Sequence, residues 1–466
     1  MTYRQLLKGN ADFRRLWTGQ VVSEIGDWLN NIAVLALTIQ LAGAGHEGRA
    51  IALYAISRHV PLFLFGPLAG VVVDRTDRRR VMILADVTRA LLALGFLLAR
   101  TPARLPVIYL VGASLFSISA FFNVAKRAAI PNIVNGADEL LTANSLSSST
   151  TAATIAVGSA LGGIVATLVG RDVVFILNAA TFLISAEMIR RIRRKTGKAG
   201  AGYQVAGGSK RQTATRHPSP DTRHLTPDTR SSFRLLPSVL RRMVVDFREG
   251  LRYVRRNDLL ASIFIVSAGW GLGNGVARSL YSIFGARLGL ATVGGLIARP
   301  TDFGNSVLYS AMGLGGVLGA MVVRRFDAGA EDRLTSRMGR SMVFDGCSLA
   351  LFALMPSLWS AALVLIFREI NYTLWKTAQT TVIMSRTDDA YGGRVFASYE
   401  TLTTLMMTGS MLASGVAADI YGIKPVTATG GIIIAFSGLL WFVLRRRRSR
   451  AGAEGEASRS AEGLSS

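Results

Sequence analysis

The chain has 466 residues, of which 50% are hydrophobic and only 18% are charged, whereas soluble globular domains contain about 25% charged residues. Its net charge of +24 comes from short basic clusters between long apolar runs, a pattern that favours membrane topology over nucleic-acid binding. The single cysteine and four histidines argue against a disulfide framework and a metal site, so the composition indicates a membrane protein with many spans.

Apolar runs of membrane-spanning length recur along the chain, since a helix needs about 20 apolar residues to cross the hydrocarbon core. The predicted spans are residues 16–42, 50–73, 80–99, 105–126, 142–169, 172–190, 258–284, 303–324, 338–356, 359–384, 395–420 and 425–444. The first run is too long for the apolar part of a cleavable signal peptide. We therefore predict an all-α membrane protein with twelve transmembrane helices.

Basic residues are distributed unequally over the predicted connections. One side receives the basic N-terminal segment, the connection DRTDRRR, the central connection and the terminal RRRRSR, whereas the other side has few basic residues. Because cytoplasmic connections retain Lys and Arg, we predict a multi-pass protein of the plasma or inner membrane with both termini in the cytoplasm. The Arg- and Ala-rich usage is typical of a bacterium with high GC content.

The spans fall into two groups of six. We predict an N-terminal six-helix bundle over 1–190, a flexible cytoplasmic linker over 191–237, an amphipathic interfacial helix over 238–257, a C-terminal six-helix bundle over 258–445 and a disordered cytoplasmic tail over 446–466. The linker is rich in Gly, Ser, Thr, Pro and Arg, and such a composition cannot bury enough apolar surface to offset its ordering entropy. Six spans on either side of a linker are typical of transporters built from two repeated bundles around a central cavity.

The connection between spans two and three reads GVVVDRTDRRR and resembles the signature of the major facilitator superfamily. The matching residues are Gly70, Asp74, Arg75, Arg78 and Arg79. Asp77 stands where that family commonly has Gly. Four further segments, FRRLWTGQVVSEIGDWLNNIA, AKRAAIP, VVDFREGLRYVRRNDLL and GGRVFASYETL, resemble the exporter branch that includes enterobactin exporters and macrolide-efflux proteins. The resemblance covers nearly the whole chain except the linker and the tail.

This resemblance implies roles for two motifs. In the superfamily, the signature Asp contacts the opposite bundle and latches the inner gate, a role that we transfer to Asp74; a topology anchor without a gating role is the alternative. The sequence GSALGG in span five is similar to the end of a signature associated with antiporters, with Ser159 at the usual Pro. Its glycines are Gly158, Gly162 and Gly163, and ordinary close packing of helices is the alternative for them.

Charged residues inside the spans are the candidate functional groups, because a charge near the bilayer centre must face a cavity or a partner. Glu24 and Asp27 lie three residues apart near the middle of span one, which places them on one helix face. We predict that Asp27, assisted by Glu24, carries protons across the membrane, with His59 as a further candidate. The alternative is a permanent salt bridge that fixes helix packing. The expected partners are the charges at comparable depth, Arg58, Arg278, Arg368 and Glu369.

Other intramembrane residues receive structural or cavity-lining predictions. Asp86 and Arg89, three residues apart in span three, are expected to neutralise each other. Asp345 has no such neighbour in span nine, so it is a candidate for the substrate cavity. Aromatic residues are candidates for an apolar substrate pocket, with lipid contact or packing as the alternative. They are Trp28, Phe121, Phe122, Tyr372 and Trp375.

The function implied by the resemblance and the intramembrane acids is secondary active transport. We expect export of an amphipathic small molecule (a drug, an antibiotic, a siderophore or a secondary metabolite) in exchange for protons. The sequence has no P-loop for ATP hydrolysis and no dense catalytic cluster, so neither enzyme activity nor a cofactor is expected. The expected partners are the substrate, protons and membrane lipids, and the protein is expected to act as a monomer. A uniporter, a differently coupled importer and a non-transporting receptor are the alternatives.

Overall fold

The computed structural model describes residues 1–193, 236–323, 331–388 and 391–463. These residues form helices, turns and short connections and contain no β-strand. Most of the predicted linker lies outside them. We call the helix ends that adjoin the basic connections the inner ends, and the opposite ends the outer ends.

Seven α-helices precede the linker. They are α1 (Tyr3–Gly9), α2 (Ala11–Ala42), α3 (Glu47–Arg75), α4 (Arg78–Leu94), α5 (Leu105–Ile133), α6 (Gly136–Leu168) and α7 (Arg171–Arg190). Helix α4 continues into a short 3-10 helix, Gly95–Leu98. Helices α2 to α7 correspond to predicted spans one to six.

Seven α-helices follow the linker. They are α8 (Leu236–Arg255), α9 (Asp258–Val293), α10 (Pro300–Val323), α11 (Glu331–Leu354), α12 (Leu358–Ser385), α13 (Gly392–Tyr421) and α14 (Ile423–Gly463). Helices α9 to α14 correspond to predicted spans seven to twelve.

Nine helices in the described ranges are long and apolar enough to cross a membrane. They are α2 to α7, α9, α10 and the part Ile423–Arg446 of α14. The other three, α11 to α13, are 24 to 30 residues long and include internal charges such as Asp345, Arg368 and Glu400. The all-α class is confirmed, and the arrangement is consistent with twelve spans.

Local sequence determines where several helices begin and end. Asn10 caps α2, because its side chain accepts a hydrogen bond of 2.9 Å from the Phe13 amide, and Asn residues are preferred at this position. Helix α2 ends at Gly43, whose φ of 75° is readily adopted only by a residue without a Cβ atom. Polar residues extend the helices beyond the apolar runs, which is why α6 begins at Gly136 and not at the predicted residue 142.

The two bundles meet mainly along α3 with α13 and along α6 with α10. Glycines permit these close approaches: Gly48 of α3 contacts Gly415 of α13, and Gly163 of α6 contacts Ser306 of α10. Within the first bundle, Gly158 and Gly162 instead bring α6 against α2. Such close approaches are what small residues permit in membrane helices; the antiporter role of the motif stays a prediction.

Helix α8 packs beside the inner end of α13. The main chain at Gly250 of α8 lies against Ser398 of α13, and Arg394 of α13 lies 3.4 Å from Glu249 of α8. Among the described side chains, Arg248 and Arg252 are exposed, as the amphipathic pattern requires; the location of α8 in the membrane interface stays a prediction.

The sequence predicts a disordered tail from residue 446, but in the structure α14 continues as a helix to Gly463. The segment AGAEGEASRSAEG contains several Ala and Glu residues, which are favourable in helices. The low hydropathy of this segment does not prevent continuation of a helix that has already formed.

Candidate functional site

A polar cavity of about 100 Å³ lies inside the first bundle, between α2, α3, α4 and α5. Its polar lining includes Gln20, Glu24, Asp27, Arg89, Asn123 and Lys126. Both carboxylates that the sequence singled out in span one therefore line this cavity between the helices.

Asp27 is held loosely. Its Oδ2 lies 3.9 Å from Nη1 of Arg89, and the Asp27 side chain is 36% exposed, whereas that of Arg89 is only 4% exposed. Arg89 also donates a short hydrogen bond to Asp86, so the expected pair within span three is present. The Arg89 guanidinium lies 4.1 Å from the centre of the Phe122 ring, which fixes its position further.

Glu24 has more partners than Asp27. It lies 3.5 Å from the Lys126 ammonium group and accepts hydrogen bonds of 2.8 Å from Gln20 and 3.0 Å from Thr154. The two carboxylates of span one thus differ, since Glu24 is enclosed by donors, whereas Asp27 faces the cavity with Arg89 at 3.9 Å.

None of the cations that the sequence offered to span one forms an ion pair with Asp27 or Glu24 within the described residues. Arg58 donates to Asn31 and lies 4.7 Å from the centre of the Phe116 ring. Arg278 is exposed and forms no hydrogen bond or ion pair within the described residues. Arg368 belongs to a cluster in the second bundle. The cations that do lie next to Asp27 and Glu24 are Arg89 of α4, which also has an acid on its own helix, and Lys126 of α5.

His59 is satisfied within its own helix. Its Nδ1 lies 2.8 Å from the Ala55 carbonyl oxygen, so this nitrogen donates to the backbone in the tautomer that forms the bond. The ring is partly buried and does not line the polar cavity of the first bundle.

A closed charge cluster occupies the second bundle. Arg368 Nε lies 3.0 Å from Asp345 Oδ1, and the other guanidinium nitrogens donate to Tyr281 and Asn274. Glu369 lies 3.7 Å from the same guanidinium. Arg368 is only 2% exposed. Asp345 has no cation three residues away on its own helix, as the sequence indicated, but it pairs with Arg368 of the next helix; its place in a substrate cavity stays a prediction.

One further ion pair was missed by the sequence analysis. Lys376 of α12 lies 3.6 Å from Glu400 of α13, an arrangement that resembles the Lys126–Glu24 pair of the first bundle. The correspondence of Lys126 and Lys376 in spans four and ten was detectable from the sequence. Glu400 lies within GGRVFASYETL, which we used only as a sign of resemblance.

The candidate aromatic residues lie in different environments. The Trp28 ring centre is 6.1 Å from that of Tyr309, across the interface between the bundles. Trp375 is instead buried in the second bundle, with its ring centre 4.8 Å from that of Trp270, and it also lines a cavity of about 610 Å³; its assignment to a substrate cavity stays a prediction. Tyr372 stacks on Trp270.

The other two candidates lie in the first bundle. Phe122 is buried and lines the polar cavity, whereas Phe121 is half-buried.

The signature motif is engaged within its own bundle. Arg79 donates to the carbonyl oxygens of Ile189 and Arg190 at the inner end of α7. Asp77, at the position where Gly is common, caps α4 by accepting a 2.8 Å hydrogen bond from the Arg79 amide. Asp74 is exposed, and within the described part of the chain it has no hydrogen bond or ion pair. The latch expected of Asp74 is therefore not formed in this conformation.

The remaining signature residues differ in exposure. Gly70 has open space at its Cα atom, Arg75 is exposed and Arg78 is buried.

Polar contacts join the bundles at their outer ends instead. Arg171 of α7 pairs with Asp302 of α10 at 2.7 Å, and Arg287 of α9 lies 3.6 Å from Glu47 of α3. Asp419 of α13 accepts hydrogen bonds from the first turn of α3. The outer ends are thus closed against each other while the signature Asp at the inner end is free of the opposite bundle.

Relatives with exporter names match almost the full length of the chain. A putative bacilysin exporter, BacE, of Bacillus subtilis (strain 168) is 24% identical over 420 residues, which is 89% of this chain and 90% of the relative. Macrolide efflux protein A of Streptococcus pyogenes is 22% identical over 426 residues, 91% of this chain and 93% of the relative.

Solved transporters share the fold. A mutant of the peptide transporter POT in complex with alafosfalin has a TM-score of 0.64 at 13% identity, covering 95% of each chain. A bacterial homologue of the human lysosomal transporter Spinster, in an inward-facing and occupied conformation, has a TM-score of 0.63 at 12% identity and covers 93% of this chain and 96% of its own. The family description that matches residues 16–411 is the Major Facilitator Superfamily. Because that match covers most of the chain and agrees with the two bundles of helices, this protein is a member of the Major Facilitator Superfamily and a membrane transporter.

Proposed function

We propose that this transporter is a proton-coupled antiporter that exports an amphipathic small molecule from the cytoplasm by alternating access. The observation that carries the proposal is the loosely held carboxylate of Asp27 in the cavity of the first bundle. The exporter names of the relatives support the direction of transport.

Asp27 is suited to exchange a proton because its neutralisation leaves no buried charge without a partner. Arg89 keeps its bond to Asp86 whether or not Asp27 is charged. Protonation of Glu24 is less favourable, since it would remove the carboxylate that pairs with the Lys126 ammonium group, and a buried cation without a partner is costly. We therefore assign the proton to Asp27 and a supporting role to Glu24.

Substrate and proton are proposed to compete for the same carboxylate. With the outer ends closed, the substrate enters from the inner side, and a cationic or hydrogen-bond-donating group on it binds to deprotonated Asp27. Trp28 and Tyr309 at the bundle interface offer aromatic surface to the apolar part of the substrate. After the change of conformation, a proton from outside displaces the substrate. The inward movement of that proton supplies about 2.3 kcal/mol per 100 mV of membrane potential.

The same proposal includes the orientation and the assembly of the protein. Both termini lie in the cytoplasm of a bacterial cell, as supported by the basic connections at the inner ends. One chain provides both bundles and therefore both walls of the central pathway, so we infer that a monomer is sufficient.

The proposal is tested in proteoliposomes that contain the purified protein. An acidic lumen should drive uptake of a macrolide or a small-peptide antibiotic, and addition of that compound should release protons that a pH-sensitive dye records. Asp27→Asn should abolish both signals and also reduce exchange of labelled for unlabelled compound, because the carboxylate that carries the proton also binds the substrate. Glu187→Gln, which changes a carboxylate at the inner end of α7, is the matched control.

Proton-driven uptake that survives Asp27→Asn would remove Asp27 from the mechanism. A uniporter or a differently coupled importer would instead show transport without proton release by the unmodified protein.

A further inference from the structure

Asp419 of the second bundle caps a helix of the first bundle. Its Oδ1 accepts a hydrogen bond of 2.7 Å from the Gly48 amide, and its Oδ2 accepts one of 3.1 Å from the Arg49 amide. The carboxylate also receives a 3.0 Å hydrogen bond from Nε of Arg49. Although it lies at the outer end of α13, the Asp419 side chain is only 7% exposed.

These two amides are the ones that a helix cap normally satisfies. Helix α3 begins at Glu47 after His46, so Gly48 and Arg49 are the second and third residues of its first turn. A capping side chain usually comes from the residue before the helix and accepts from these positions. His46 forms no such bond, and Asp419 takes its place from the opposite bundle. The negative carboxylate is also favoured by the positive end of the helix dipole.

A close approach of two backbones makes this contact possible. A Cβ atom on Gly48 would overlap the carbonyl oxygen of Gly415, and a Cβ atom on Gly415 would overlap the carbonyl oxygen of Gly48. The absence of both side chains brings the outer end of α13 against the start of α3. Since the two helices belong to different bundles, separation of the outer ends must break every bond of Asp419 to α3.

The same two helices share a sequence motif near their C-terminal ends and a first turn without a local cap. Gly70 to Asp74 at the inner end of α3 and Gly415 to Asp419 at the outer end of α13 both read Gly, three apolar residues and Asp. Helix α13 begins after Tyr391, whose side chain forms no capping hydrogen bond. Asp74 is exposed. Each helix therefore has an Asp at its last turns and a first turn that its own preceding residue does not cap.

We propose that Asp419 is the outer-gate residue of this transporter, and that it holds the outward-closed state by capping α3 across the bundle interface. Opening outward releases this cap. The inference rests on the alternating access of the proposed function but not on proton coupling. Arg49, whose side chain is 51% exposed, contributes less, because exposed ion pairs are weak.

The test measures opening of the outer gate without transport. Thr167, buried near the outer end of α6, is changed to Cys in a Cys347→Ser protein, and right-side-out vesicles are labelled with a membrane-impermeant maleimide. The labelling rate is proportional to the fraction of outward-open molecules. Asp419→Ala should raise this rate about fivefold to thirtyfold, the equivalent of one helix cap.

Two matched variants separate capping from charge. Asp419→Asn should raise the rate less than Asp419→Ala does, because Asn keeps one of the two oxygens that accept from the first turn of α3. Arg49→Gln should stay within about threefold of the parent, as for an exposed ion pair. A second reporter, Ser185→Cys, buried inside the first bundle, should label at an unchanged rate in all variants, which excludes general loosening.

Three results would overturn the proposal. An unchanged Thr167→Cys labelling rate in Asp419→Ala would show that the cap does not hold the gate. A rise in Arg49→Gln equal to that in Asp419→Ala would assign the effect to the ion pair. A parallel rise at Ser185→Cys would assign it to loss of structure. Loss of proton coupling in Asp27→Asn leaves all these labelling results unaffected, so the two proposals fail separately.

Discussion

Removal of Asp345 is expected to destabilise the second bundle more than it affects substrate binding. In Asp345→Asn, the guanidinium of Arg368 stays buried at 2% exposure but loses its carboxylate at 3.0 Å. Breaking one partner out of a buried pair costs about 3 to 5 kcal/mol. Glu369 at 3.7 Å compensates in part, so we expect a loss at the lower limit, about 3 kcal/mol.

Thermal unfolding in detergent measures this loss. For a bundle of this size, each kcal/mol corresponds to about 2 to 4 °C, so the melting temperature of Asp345→Asn should fall by about 6 to 12 °C. The double variant Asp345→Leu with Arg368→Met removes both charges of the pair and should lose less stability than the single variant, because the buried guanidinium and its carboxylate are removed together and only the partly exposed Glu369 loses this cation. Arg278→Gln, which changes an exposed arginine of α9, is the control and should leave the melting temperature unchanged.

The reasoning is refuted if Asp345→Asn melts like the parent but no longer transports. Asp345 would then act on the substrate or on protons, as the sequence alone suggested. It is also refuted if the double variant loses more stability than the two single variants lose together, since the charges would then not be partners.

Three other outcomes follow from the packing and the lipid contacts. Gly163→Val should reduce transport without unfolding the protein, because its side chain would overlap Ser306 of the other bundle; an unchanged transport rate would contradict this. Gly158→Val should instead lower the melting temperature, by the equivalent of about 1 to 3 kcal/mol, because the overlap is with α2 inside one bundle. Arg248→Gln with Arg252→Gln should weaken the dependence of transport on phosphatidylglycerol in proteoliposomes, since each interfacial arginine contributes about 1 kcal/mol of attraction to anionic lipid; an unaltered lipid titration would place α8 away from the membrane surface.

The spans could be predicted from sequence because they depend on composition along the chain alone. About 20 apolar residues between polar ends form a helix in a membrane whatever its neighbours are, since every backbone polar group must be satisfied within the segment. Helices α11 to α13 show the limit of this signal. Their internal charges lower the hydropathy, although α12, for example, is continuous from Leu358 to Ser385.

The partners of the intramembrane charges could not be predicted, because they depend on the rotation of each helix about its axis. Asp86 and Arg89 were recognised as a pair since both lie on one helix, three residues apart. Asp345 and Arg368 lie on neighbouring helices, and nothing in the local sequence of either specifies which face is turned to the other. Asp27 shares Arg89 with Asp86. Such sharing cannot be predicted when each charge is assigned to its nearest partner in the sequence.

The cross-bundle cap was missed for a related reason. Asp419 precedes a turn at the outer end of α13, and in the sequence it is an ordinary polar residue at the end of an apolar run. Its match to the first turn of α3 depends on a contact between Gly48 and Gly415 that joins segments about 370 residues apart. The available signal was the repeat of Gly, three apolar residues and Asp, which the superfamily signature marks at only one of its two occurrences.

The two bundles differ in how they hold their intramembrane charges, and this difference is the reason why we propose the coupling site in the first bundle. In the second bundle, Arg368 is enclosed by Asp345 and by neutral donors and acceptors, so a change in protonation there would disrupt packing. In the first bundle, Asp27 shares a cation that is already satisfied, so its charge can change while the helices stay in place. A bundle that remains rigid through both protonation states can transmit the change to the interface only through what binds at Asp27. Under the proposed function, the proton and the substrate act on the bundle interface by replacing each other at one carboxylate, and the closed outer contacts of Asp302 and Asp419 are the contacts that this replacement must release.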